Sequence, residues 1–261
     1  MNVKEISKYY QPIDYSKWDS SGKGKNILPK LEDTIYSIKE MDEKNPFEGE
    51  LWRAALPFQD KRDDKGHAEI TAYFGLRLLR FHPEATREIM MPSIILHDIG
   101  WSQLAEEERA LFADYKIRKI YEPILRDRHQ VLGRELAEKI LKSLDYAGRI
   151  NEAGWNGEKY QNHILEIISQ HDTRPGFFSL SDFGVNDGLM RDADKLWRVT
   201  YIGMMTEVER SKMSDKPKTL EEEAEKTTKS FQKPGFLYSP ISAEMARIEL
   251  ENALSYHKVK R

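Results

Sequence analysis

Residues 91–100 read Met91-Pro92-Ser93-Ile94-Ile95-Leu96-His97-Asp98-Ile99-Gly100, an apolar run that ends in an imidazole beside a carboxylate. Pro92 suits the first turn of a helix, and Gly100 suits its C-terminal cap. A helix this apolar is buried, so His97 and Asp98 go inside with it. Burying both groups is costly unless each is paired. A salt link to Arg or Lys is the bland solution. A divalent cation is the better one, because the aspartate can use both oxygens while the histidine supplies a nitrogen. The negative end of the helix dipole, near Gly100, also favours positive charge.

The pattern extends in both directions. Before it, Asp63 or Asp64 can cap a helix that carries His67, Ile70, Phe74 and Leu78 on one face. After it, His129 opens a helix whose apolar side is Leu132, Leu136, Ile140 and Leu141. His171 ends a helix that holds Ile164, Leu165, Ile167 and Ile168 and stops before Pro175-Gly176. A fifth helix begins after Asn186-Asp187-Gly188 and runs to about Met213, with Asp194 set among Leu189, Ala193, Leu196, Trp197 and Ile202. Each of five successive helices thus turns one histidine or acid inward. A lone histidine is more often an ordinary core or surface residue, so the weight lies on the ordered set. No alternating strand pattern of useful length occurs, and the fold class is all-α.

The order His67, His97-Asp98, Asp194 resembles the signature of the HD-domain superfamily of metal-dependent phosphohydrolases. The stretches Leu96-His97-Asp98-Ile99-Gly100 and Asp192-Ala193-Asp194-Lys195-Leu196-Trp197-Arg198 carry the likeness, which covers about residues 63–212. It implies an HD-domain helical bundle of five core helices at 61–212, an N-terminal extension at 1–60 and a C-terminal helical segment at 213–261 packed on the core. His129 and His171 resemble the extra histidines of the subgroup with the pattern H…HD…H…H…D, which binds two metals. By that resemblance His67, His97, Asp98 and Asp194 hold one ion, and His129 and His171 hold the other, with Asp98 bridging. Such donors suit iron, manganese, cobalt or zinc, and magnesium less well.

The resemblance also implies hydrolysis of a phosphate ester or nucleotide by a metal-activated water. Asp98 and Lys195 are the candidate catalytic residues. Arg198, four residues beyond Asp194 and on its face, and Arg174, just past the His171 helix, are candidates for binding substrate phosphate. A structural salt bridge is the competing reading for each cation. A branch of the same family uses a mixed-valent di-iron centre to oxidise C–H bonds in inositol or aminophosphonates, and the six ligands fit it equally well. The phosphonate oxygenases carry a Tyr and Glu pair before the first histidine; here that stretch reads Leu56-Pro57-Phe58-Gln59-Asp60, which tilts the balance toward hydrolysis. A non-catalytic sensing domain ranks last, since such domains lose ligands and this chain keeps six.

Composition sets the outer bounds. The 261 residues are 39% hydrophobic and 33% charged, enough for one packed core under a charged surface. A formal net charge of -3 gives no general pull toward nucleic acid or anionic membrane. The absence of cysteine excludes disulfides, thiolate metal sites and a cysteine nucleophile. With no apolar leader and no spanning segment, a cytoplasmic protein acting on a small phosphorylated molecule is expected. No motif sets an oligomeric state.

Residues 31–42 suit a short amphipathic helix, and Asn45-Pro46 to Pro57 a linker. The stretches 101–128 and 150–160 read as loops, with Trp101, Tyr115, Tyr121 and Trp155 free to stack or pack. A polar helix is expected at about 219–231, then a last helix capped by Ser242. His82 reads as loop, and His163 and His257 as non-ligands. Asp172 reads as a helix-end cap or a partner of Arg174, and Asp192 as solvent-facing or as a support behind the ligands.

Overall fold

Three- and four-residue apolar spacing produces helix after helix along this chain. The computed structural model describes residues 5–15, 45–62, 64, 66–113, 117–172, 184–214 and 216–260. Among them lie twelve α-helices and no strand. In chain order these are α1 (Ile6–Tyr9), α2 (Pro46–Ala55), α3 (His67–Phe81), α4 (Arg87–Leu96), α5 (Glu106–Ala113) and α6 (Arg118–Ser143). They continue as α7 (Tyr146–Glu152), α8 (Gly157–Gln170), α9 (Val185–Leu196), α10 (Tyr201–Ser211), α11 (Leu220–Phe231) and α12 (Pro240–Lys260). No helix among the described residues is long and apolar enough to cross a membrane. The expected helix at 31–42, the cap at Asp63 and the stop at Pro175-Gly176 fall outside the described residues.

The apolar helix α4 lies at the centre, packed by α2, α3, α8 and α9, with every residue from Ile89 to Leu96 buried. Helix α8 sits against both α4 and α6, and α9 against both α3 and α4. One hydrophobic cluster joins Ile6 and Trp52 to Phe74, Ile94, Ile168, Leu196 and, on α12, Met245 and Ala253. The N-terminal segment is clipped to α12 by Glu249, which accepts hydrogen bonds from the Tyr10 hydroxyl and from the Ile13 amide at 2.8 Å.

Several boundaries differ from expectation, each for a local reason. Pro92 sits inside α4 rather than in its first turn. A proline there frees the carbonyl four residues back, and the Tyr146 hydroxyl donates to that Glu88 carbonyl at 2.7 Å. Helix α6 starts at Arg118 and contains Pro123, so His129 lies within it and does not open it. With α5 ahead of it, most of the supposed loop 101–128 is helical, and α7 and α8 fill most of 150–160. The supposed linker after Asn45 is α2, with the Asn45 side chain accepting from the Glu48 amide and Pro46 at the first position. The fifth expected helix is two, α9 and α10. They are separated by a 3-10 turn at Trp197–Val199, after which the Thr200 hydroxyl caps the Gly203 amide at 3.1 Å. Helix α12 starts at Pro240, ahead of Ser242.

Gly100 is no helix cap. It lies in a 3-10 turn, Ile99–Gln103, pressed against α6. A Cβ there would stand 1.9 Å from the His129 carbonyl and 2.5 Å from the Gly133 amide nitrogen. Its missing side chain lets the α6 backbone come close, and this brings His129 beside Asp98.

Candidate metal centre

Four helices end or pass at one point. His67 is the first residue of α3, His97 and His171 follow the last residues of α4 and α8, and His129 lies inside α6. All four imidazoles are buried, none more than 4% exposed. The structure therefore brings the six ligand candidates together. Two groups can each hold a metal ion: His67, His97 and Asp98, and Asp98, His129 and His171.

Asp98 divides its carboxylate between them. Its Oδ2 lies 3.4 Å from His67 Nε2 and 3.7 Å from His97 Nε2. Its Oδ1 lies 3.3 Å from both His129 Nε2 and His171 Nε2. Asp194 closes the first group from α9, with Oδ1 3.0 Å from His67 Nε2 and 3.6 Å from His97 Nε2.

The imidazole nitrogens show why a cation fits. His97 Nδ1 donates to the Ile94 carbonyl at 2.7 Å, and His171 Nδ1 to the Ile168 carbonyl at 2.8 Å. In the neutral ring each Nε2 is then a bare acceptor. They face two further ring nitrogens, His67 Nε2 at 3.0 Å from His97 Nε2 and His129 Nε2 at 3.3 Å from His171 Nε2, and the buried Nδ1 atoms of His67 and His129 have no hydrogen-bond partner among the described residues. Lone pairs aimed at one another and at a carboxylate need a proton or a metal between them. Without metal, protons take that place. Burial works against charge on His97, yet Asp98 and Asp194 raise it to about 9. Burial likewise opposes the charge on His67, and Asp194, Asp64 and Asp98 together outweigh it, so His67 is raised as well. Burial dominates at His129, which is lowered despite Asp98. Burial alone would raise Asp98 and Asp194, but the facing histidines, and Arg62 for Asp98, hold both carboxylates well below the usual range.

The salt link that competes with a metal for Asp98 exists only in part. Arg62 Nη2 is 3.5 Å from Asp98 Oδ2, but its close partner is Asp64, which its Nε meets at 2.6 Å. Behind Asp98, the Trp101 indole donates to Oδ1 at 3.1 Å and stacks on the His129 ring with centroids 4.4 Å apart.

The centre opens into a cleft of about 440 Å³. Lys195 and Arg198 both line it. The Lys195 ammonium donates to the Phe236 carbonyl, whereas half-buried Arg198 makes no hydrogen bond or ion pair with any described residue. Arg174 lies outside the described residues.

The other candidates have ordinary partners. His82 meets Ser239 and Glu84, His163 meets Asp187 at 2.8 Å, and His257 lies 3.7 Å from Glu221. Asp192 is not solvent-facing: it is fully buried and accepts the Tyr238 and Ser239 amides, anchoring the entry to α12. Trp155 is exposed, with its ring beside that of Tyr160.

Sequence reasoning missed Arg62 and Arg126, whose partners are distant in the chain or sit in a short irregular segment, and it read Asp64 as a possible cap of α3, whereas the N-cap is Gly66 and the Asp64 carboxylate accepts from Arg62. Asp172, read as a helix-end cap or a partner of Arg174, pairs with Arg126, while Arg174 lies outside the described residues. Compared with protein-family models, curated proteins and solved structures, the chain matches none.

Proposed function

We propose that this chain is a metal-dependent phosphohydrolase of the HD type that acts at a dinuclear centre on a small phosphate ester. The observation that carries the reading is Asp98, whose two oxygens face separate histidine pairs on the wall of a cationic cleft. The ordered His67, His97-Asp98, His129, His171, Asp194 set and its family resemblance support it independently. Two divalent ions held there would activate a water and polarise a phosphoryl oxygen.

The rest of the cleft suits an anion. Its lining has eight basic side chains against five acidic ones, although the whole chain carries a formal net charge of -3. Arg198, half-buried and without a partner among the described residues, could take phosphate oxygens in a bidentate contact. Burial lowers the Lys195 ammonium. With one hydrogen on the Phe236 carbonyl, it keeps others to offer a leaving oxygen. Trp101 packs over His129 and shields that side of the centre from water.

Elemental analysis of the purified protein, joined to electron paramagnetic resonance and a panel of phosphate esters and nucleotides, tests this. About two ions per chain and release of phosphate are expected. Two irons with a mixed-valent signal that persists in air and shifts with substrate would overturn hydrolysis in favour of oxygenation. A protein that retains no metal would overturn both.

A further inference from the structure

The chain contains a second His-Asp pair, and the fold treats it as it treats the first. His97-Asp98 follows Ile94-Ile95-Leu96 at the end of α4; His171-Asp172 follows Ile167-Ile168-Ser169-Gln170 at the end of α8. In both pairs the histidine is helical, at φ -58°, ψ -42° and φ -60°, ψ -31°. In both its Nδ1 bonds the carbonyl three residues back, which sends Nε2 into the centre. Helices α4 and α8 pack against each other, so their C-terminal ends bring two such pairs to one place.

The two halves of the centre are otherwise unequal. The first has two imidazoles, Asp98 Oδ2 and the carboxylate of Asp194. The second has two imidazoles and Asp98 Oδ1, with no further carboxylate in the six-residue set. Asp172 Oδ2 lies 3.7 Å from His129 Nε2, close to the separation between Asp194 Oδ1 and His97 Nε2 in the first half, 3.6 Å. Two atoms on one metal at about 2.1 Å each stand roughly 3 to 4 Å apart. The Asp172 side chain is 15% exposed and lines the cleft, and its backbone is pinned by the Gln130 side chain, which accepts its amide at 2.9 Å.

We propose that Asp172 is a seventh ligand, the terminal carboxylate of the ion held by His129, His171 and Asp98. Its part at the second ion matches that of Asp194 at the first. Arg126, which pairs with the same oxygen, competes with that ion and sets how firmly it is held. This rests on the dinuclear reading above, and its test separates the two.

The full-length protein, stripped of metal, is titrated with Mn(II) by calorimetry, and bound metal is counted after gel filtration. The wild-type chain is expected to take two ions. Asp172→Asn is expected to keep the first with unchanged affinity and to hold the second at least about tenfold more weakly. Arg126→Gln is expected to hold the second ion as tightly as the wild type or tighter. Two ions bound equally well by Asp172→Asn and the wild type would overturn the role of Asp172 and leave the dinuclear centre standing. Equal weakening by Asp172→Asn and Arg126→Gln would also overturn it, since the pair would then act through the fold alone. One ion in the wild type would remove the dinuclear reading itself, and Asp172 with it. Matching far-ultraviolet circular dichroism among the variants guards against misfolding, and Asp172→Glu, which keeps a carboxylate, is expected to recover part of the second affinity.

Discussion

At the scale of single residues, the centre is a problem in satisfying buried groups. His97 and His171 spend Nδ1 on a carbonyl one turn back, so Nε2 is committed to whatever lies inside. His82 is also buried, but its two nitrogens meet Glu84 and Ser239, and nothing is left for a metal. The contrast makes a prediction. His97→Ala or Asp98→Ala removes most of the bound metal in elemental analysis, and His129→Ala removes about half. His82→Ala loses none, although breaking its buried hydrogen bonds costs on the order of 1–2 kcal/mol in chemical denaturation. Equal metal loss in all of these variants would remove the assignment of the six residues. The local pattern around His67, His97, His171 and Asp194 was enough to place them inward, because each sits on an apolar helical face or at its end. Arg62 was not legible: it reaches Asp98 from an irregular stretch where no periodicity tells which way a side chain turns.

At the scale of elements, two backbones must approach for Asp98 to serve both groups. The turn Ile99–Gln103 lies on α6 with Gly100 facing the His129 carbonyl and Gly133. Gly100→Ala puts a methyl group 1.9 Å from that backbone oxygen, where no flexible side chain can yield. Overpacking of this kind costs on the order of 1–3 kcal/mol, and here α6 must shift to relieve it. The thermal midpoint is expected to fall, and metal bound with His129 is expected to be lost before metal bound with His67. Gly154→Ala is the control. Gly154 has φ 87° but open space around its Cβ, so the variant costs backbone strain and leaves metal content unchanged. Unchanged metal in Gly100→Ala would mean that the close approach does not set the geometry of the centre. This contact explains a misreading too. A glycine after an apolar helix reads as a cap, and only the partner helix reveals that the missing Cβ makes room for a neighbour. Pro92 misled in the same manner, since a proline inside a helix is tolerated when something else satisfies the freed carbonyl, as Tyr146 does for Glu88.

At the scale of the whole molecule, the cleft collects charges that lie far apart in the chain, and no local pattern announces them. Arg118 on α6, Glu207 and Arg210 on α10 and Lys226 on α11 all line it. Glu207 links α10 to α6: it pairs with Arg210 on its own helix and lies 3.8 Å from Arg118. Burial alone would raise its carboxyl, but Arg210 and Arg118 hold it at about 2, against an ordinary value of 4.5. The folded value lies below the unfolded one, so the stabilisation is complete above about pH 4.5 and is lost as pH falls toward 2. Burial also lowers Arg118, so the network's net gain is smaller than the depression of Glu207 alone implies, on the order of 1–2 kcal/mol. Glu207→Gln is therefore expected to lower stability at pH 7 by about that amount and to flatten the acid limb of the thermal midpoint between pH 4.5 and 2. The measurement uses metal-free protein, so that proton-driven metal release does not add to the slope. An acid limb as steep in the variant as in the wild type would place the titration elsewhere and leave Glu207 a minor partner. A flattened limb would assign the acid-driven loss to Glu207, which α10 sets beside Arg118 of α6 in a cleft where Glu122 also offsets the charge of Arg118 and Arg126.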